Sequence, residues 1–253
     1  MSGKQRIDGQ AVYILHSYPY SETSLILDVF SRNHGRLPLL ARGARRPRSA
    51  LRGVLQAFQP LEIGWFGGGE VRTLAKAEWC GGMPLLGGTA LILGYYLNEL
   101  LLKLLPREDA HGALFDAYAL TVQALAMGQG GGKAPAVRLR QFEKNLLREL
   151  GYGLSLEQDA LSGQPIHPDR TYHYRIERGP VEVSEHDDGM SHQQHILGKT
   201  LLDLARDDFA DPRTLSRLPD LDVVSAGGRH IPLAQVARLV PVLEEGLIWR
   251  RDR

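Results

Sequence analysis

The hydrophobic period of the chain changes once, near Gly88, and this limits the architectures open to it. Before that point apolar residues come in short runs bounded by turn residues. Ala11–Leu15, Ser24–Phe30, Arg36–Ala41, Leu55–Phe66 and Val71–Ala77 read as five strands, with Ser17-Tyr18-Pro19, Asn33-His34-Gly35 and Gly67-Gly68-Gly69 as turns. Five short strands within the first 80 residues point to a small β-barrel. After Gly88 the period becomes helical. Thr89–Leu105 is apolar nearly all round, Ala110–Met127 is a second helix, and Ala136–Leu150 places Leu139, Phe142, Leu146 and Leu150 on one stripe. Thr171–Ile176 and Pro180–Ser184 read as a hairpin, and Gln194–Arg206 and Leu233–Leu247 as two more helices. The expected fold is therefore α+β: a barrel domain over residues 1–80 and a mainly helical domain over 81–253, with a small module at 152–190.

Charge is distributed unevenly. The net charge is +1, yet residues 1–60 hold nine basic residues against three acidic ones, a local excess of +6. Arg32, Arg36, Arg42, Arg45, Arg46, Arg48 and Arg52 lie within 21 residues that contain no Asp or Glu. A solvated loop normally alternates sign, whereas a run of one sign repels itself unless an anion is supplied. Arginine also presents a planar fork suited to phosphate. The run is thus read as a polyanion-facing loop, with room for a short helical turn, between the third and fourth strands. Trp65 and Phe66, with Phe58 and Tyr20, are the aromatic side chains available to stack on bases. Each, taken alone, is better suited to filling a barrel core than to stacking.

Other chemistries find little support. In Gly128–Lys133, Met127 stands where a phosphate loop needs its first glycine and Ala134 where it needs a hydroxyl. Five of the nine histidines fall between His167 and His195, and His192 and His195 would share a helix face. Cys80 is the single cysteine, so a cysteine-rich zinc site and an intramolecular disulfide are excluded. Asp187-Asp188 and Asp207-Asp208 are adjacent pairs whose side chains point apart. No nucleophile, metal set or cofactor motif emerges, so no enzymatic activity is expected. The polar N-terminus and the glycine-rich run Trp79–Asn98 suggest neither a targeting segment nor a membrane span, which makes a cytoplasmic location the expectation.

Several blocks, in order along the chain, resemble the bacterial DNA repair protein RecO family. They are His16–Leu25, Gly35-Arg36-Leu37, Ala41–Arg46, Leu55–Leu61, Gly69–Leu74, Tyr96–Leu100, Arg140–Glu143 and Leu150–Gly153. The resemblance implies an N-terminal OB-fold, a central helical domain and an inserted module at 152–190. It implies a recombination mediator that binds single- and double-stranded DNA, anneals complementary strands, contacts the C-terminal tail of the single-stranded-DNA-binding protein SSB, and works with RecR to load RecA. A nucleoid-associated location follows from that reading. Many family members hold zinc in the inserted module through four cysteines, which this sequence lacks, so no metal is expected. Together these readings assign Arg36, Arg42, Arg45, Arg46, Arg48 and Arg52 to DNA phosphates, and the resemblance assigns Arg140 to the SSB tail. Two alternatives remain open on the residues alone: an OB-fold RNA-binding or translation-associated protein, and a protein-binding scaffold.

Overall fold

A computed structural model describes residues 6–128, 134–151, 154–175, 178–183, 195–211 and 214, and the backbone of two short strands at 222–224 and 230–232. Five strands close into a barrel: β1 (Arg6–Tyr20), β2 (Ser24–Ser31), β3 (Gly35–Ala41), β4 (Leu61–Phe66) and β5 (Arg72–Trp79), in the order β1-β2-β3-β5-β4. All pairings are antiparallel except β3 with β5, where Leu39 and Leu40 align with Arg72 and Thr73. This is the OB-type barrel. Its core holds Val12, Ile14, Leu27, Val29, Leu37, Leu39, Leu61, Ile63, Trp65 and Leu74.

Two strand boundaries differ from the sequence reading. β1 runs on through Ser17-Tyr18-Pro19 to Tyr20, because Pro19 pairs with Leu25 beside the hairpin tip and interrupts nothing. The run Leu55–Phe66 becomes a strand only at Leu61. A four-residue helix, α1 (Leu51–Val54), precedes it, and Phe58 adopts a positive φ of 64°. Its buried ring packs against Gly94, where a Cβ would stand 2.9 Å from it.

Three long helices follow: α2 (Gly88–Leu104), α3 (Gly112–Ala126) and α4 (Ala134–Glu149). Their core is shared with the barrel. Tyr13, Leu15 and Phe30 point outward from β1 and β2 and join Leu97, Leu101, Phe115, Tyr118 and Phe142. The Phe115 ring lies 5.5 Å from Tyr13 and 5.4 Å from Phe30. Tyr13 and Leu15 share this face by strand alternation, and a β-bulge between Ile14 and His16 leaves Leu15 outside the pairing with β2. The buried Asn98 of α2 donates Nδ2–H to the Leu15 carbonyl at 2.8 Å and accepts from the Tyr118 hydroxyl at 2.6 Å. At the other end of the contact, Gly35 (φ 63°) brings the β2–β3 turn against Asp109, whose carbonyl oxygen would lie 1.9 Å from a Cβ there.

A third cluster gathers Leu156, Ile166, Tyr172, Ile196, Leu201, Leu204 and Phe209 around a sheet of β6 (Thr171–Arg175), β7 (Gly179–Glu182) and β8 (His195–Leu197). The expected hairpin is present. The expected helix Gln194–Arg206 is not continuous: His195–Leu197 is a strand, and α5 spans Gly198–Ala205. Ile196 is buried beside Tyr172, and this pairing overrides the helical period. His195 therefore lies on a strand and cannot share a helix face with His192, which is outside the described residues, as are His186, Asp187-Asp188 and the helix expected at 233–247. The small strands β9 (Asp222–Val224) and β10 (His230–Pro232) pair with each other. Among the described residues no helix is long and apolar enough to cross a membrane.

Asn98→Ala removes a buried side chain that serves two partners at once. It should destabilise the protein by about 2–3 kcal/mol in urea unfolding, and Tyr118→Phe by about 1 kcal/mol. A loss below about 0.5 kcal/mol for Asn98→Ala would contradict the role given to this contact.

Candidate nucleic-acid interface

The arginine run is divided by the fold. Arg32 sits in the β2–β3 turn and donates Nε–H and Nη2–H to the two oxygens of Asp116 on α3, at 3.0 and 2.8 Å. Arg36, at the start of β3, donates Nε–H to the Leu105 carbonyl at 3.1 Å and is half-buried. Burial lowers its pKa, with Asp28 and Tyr18 opposing. These two side chains fasten the barrel to the helices. Arg36 lies about 20 Å along β3 from Arg42 and is not brought together with the later arginines.

Arg42, Arg45, Arg46, Arg48 and Arg52 form a separate group. All five are exposed on the segment from the end of β3 through α1. Among the described residues none has a carboxylate within ion-pair distance. The loop is nonetheless ordered by its backbone. Arg45 N–H donates to the Thr23 carbonyl at 2.8 Å, Arg46 N–H to Gly43 at 3.1 Å and Ser49 N–H to Arg46 at 3.0 Å. Gly43 N–H donates to the Ser24 hydroxyl, and Arg45 Nη1 reaches the Ser21 carbonyl at 3.3 Å. The β1–β2 turn thus braces the loop and fixes a cationic surface at one end of the barrel.

The aromatic candidates fare differently. Trp65 is 0% exposed, packed in the barrel core with its ring edge-on to His34 at 5.1 Å. It cannot stack on a base, and the expectation is corrected. Leu61, Ile63 and Trp65 alternate along β4 and share its inward face, a signal already present in the sequence. Phe66 is half-buried and Phe58 is buried. Tyr20 is exposed, and so is Tyr18, which lies on β1 and not in the turn expected at Ser17-Tyr18-Pro19.

Arg140 lies on α4 with its guanidinium largely buried. Its Nη1 pairs with Glu143, whose other oxygen accepts the Tyr96 hydroxyl at 2.6 Å. Burial pushes the Glu143 carboxyl up, against the opposing pull of Arg140 and Tyr96, and burial also raises Tyr96. A groove of about 350 Å³ runs between α3 and α4, lined by Leu120, Met127, Arg138, Gln141 and Phe142 among others; Arg140 does not line it.

Among the described residues of the small module the donors do not suit zinc. Cys80 belongs to the end of the barrel. The Asp159 carboxylate is saturated by Leu161 N–H, Ser162 N–H, Ser162 Oγ–H and Glu182 N–H, at 2.6–3.0 Å. Burial acts to raise this carboxyl, but those hydrogen bonds outweigh it and hold it below the usual range. Asp159 instead ties the 159–164 turn to β7. Among the described residues no three His, Cys, Asp or Glu side chains gather as a metal site.

The fold places the chain among OB-barrel proteins in which a helical unit backs the barrel. Residues 9–83 match the model for the N-terminal part of recombination protein O, and residues 87–218 match that for its C-terminal part. DNA repair protein RecO of Dechloromonas aromatica is 59% identical over 214 residues, covering 85% of this chain and 86% of the relative. The RecO protein of Aromatoleum aromaticum is 55% identical over 215 residues, 85% and 87% of the two chains. That of Ralstonia nicotianae is 49% identical over 214 residues, 85% and 76%. The chain belongs to the RecO family of DNA repair and recombination proteins.

Arg140→Ala leaves the Glu143 charge buried without its partner and should cost about 3–5 kcal/mol at neutral pH. Glu143 itself makes stability depend on pH. With its pKa raised in the folded chain, the native state binds more protons than the unfolded one as pH rises above 4.5. Its contribution is then lost as pH climbs through the folded value. Wild type should exceed Glu143→Gln most below pH 4.5, with the difference shrinking upward; a difference that does not vary with pH contradicts this.

Proposed function

We propose that the chain is a recombination mediator that binds single- and double-stranded DNA through phosphates and anneals complementary strands. With RecR, it helps RecA load onto SSB-coated DNA. The observation that carries the reading is the group of five exposed arginines from Arg42 to Arg52, each without an acidic partner among the described residues. Phosphate contacts position a strand without reading its sequence, which suits a repair protein that acts at any site. Holding two strands on a cationic surface lowers their mutual repulsion and raises their local concentration. No bond is made or broken, so no catalytic residue is needed. Family membership supports the partners as well as the DNA.

For the SSB tail the proposed anchors are arginines of α4. Arg140 retains a buried Nε without an acceptor among the described residues, while its Nη1 is engaged by Glu143. Arg138 lines the α3–α4 groove beside the exposed Leu120 and Met127. A peptide ending in an apolar residue with a free carboxylate matches a cation in a groove of mixed polarity that offers Leu120 and Met127 to the side chain.

Five neutralised phosphates on a single strand give a log–log salt slope of about −3.5. Changing Arg42, Arg45, Arg46 and Arg48 to Ala should bring the slope to about −0.7 and abolish annealing of SSB-coated oligonucleotides, with the fold intact. An unchanged slope overturns the arginine loop as the DNA surface. Preference for structured RNA over DNA would favour the RNA-binding alternative.

A further inference from the structure

β1 passes through the helical contact and then emerges from it. Tyr13 and Leu15 are covered by α2 and α3, but beyond the bulge His16, Tyr18 and Tyr20 are exposed. They alternate along the strand and share its outer face, opposite the barrel interior into which their neighbour strand sends Leu27. The His16 and Tyr18 rings lie 4.3 Å apart, and Tyr18 and Tyr20 are 45% and 50% exposed. Exposed aromatic rings in a row are unusual on a barrel wall, where they would ordinarily be buried.

The row ends at the arginine loop. Tyr20 pairs with Ser24, whose hydroxyl accepts Gly43 N–H, and the next residues, Ser21 and Thr23, accept from Arg45. The arginine loop and the strand that carries the rings are therefore tied together by hydrogen bonds across one hairpin tip. Side chains two residues apart leave a strand about 7 Å from each other, and the His16 and Tyr18 rings close that separation to 4.3 Å, so the row presents a near-continuous aromatic surface to a strand lying along it.

We infer that His16, Tyr18 and Tyr20 form a stacking platform for unpaired bases of a single strand whose phosphates lie on Arg42–Arg52. The inference rests on the DNA reading above and adds to it the means of telling single strands from duplex. Arginines grip both forms, whereas only unpaired bases can open their faces to a ring. During annealing the platform would hold bases splayed until a complementary strand withdraws them into a duplex.

The test compares wild type, Tyr18→Ala, Tyr20→Ala and the corresponding Phe variants in binding an oligothymidylate and a blunt duplex over a range of salt. Each Ala variant should lose at least about fivefold in single-strand affinity, each Phe variant should keep it, and duplex affinity and salt slope should stay as in wild type. Unchanged single-strand affinity in the Ala variants overturns the platform, as does an equal fall for both ligands. The four-arginine variant separates the two ideas. If it loses binding while the Tyr→Ala variants do not, the platform fails and the DNA reading stands. If wild type binds neither ligand, both fail.

Discussion

The contact on which the rest of the structure depends is the hydrogen bond from Asn98 to the carbonyl of Leu15. The β-bulge leaves that carbonyl outside the pairing with β2, and a buried backbone acceptor without a donor is costly. Asn98 supplies the donor and is itself held by Tyr118. Through this one side chain α2 and α3 are fastened to the middle of β1. Strand alternation sends Ile14 into the barrel core and Tyr13 and Leu15 into the helical core, so β1 serves two hydrophobic clusters. The geometry is consistent across levels: a strand irregularity, a buried amide and an aromatic cluster all require the same docking.

That docking decides what each arginine does. Arg32 and Arg36 face α3 and the α2–α3 connection, and their guanidinium groups are engaged by Asp116 and by Leu105. Arg72 and Arg107 add ion pairs with Glu108 and Glu70 at the same boundary. Arg42, Arg45, Arg46, Arg48 and Arg52 make no ion pair with the long helices among the described residues. Their loop is held by main-chain hydrogen bonds to the β1–β2 turn, leaving the cationic groups displayed. A surface built this way has self-repulsion that an external polyanion relieves. Family membership in DNA repair and the proposed phosphate contacts meet at this loop.

The division into barrel and helices was legible because strand and helix periods differ and each held over several elements. Glycine and proline misled at the boundaries. Pro19 lies on a strand near its end, and the apolar residues of Leu55–Leu61 alternate like a strand although Phe58 is turned aside to fill a seat at Gly94. The core position of Trp65 is legible in its alternation with Leu61 and Ile63, which excludes the stacking role open to it on composition alone. The split of the arginine run was not readable, since the partners of Arg32 and Arg36 lie about 70 to 85 residues away. Arg140 posed the same difficulty in part: Glu143 was visible at helical spacing, but the burial of the pair and the Tyr96 hydroxyl were not. The strand His195–Leu197 was hidden because its pairing with β6 is non-local.

The most direct test of the account is a hydrogen-exchange footprint of the intact protein with and without a single-stranded oligonucleotide. The account predicts slowed exchange at residues 18–24 and 42–53, the hairpin tip and the arginine loop joined to it, with α2 and α3 unchanged. Protection confined to the helices, with none on the arginine loop, would contradict it.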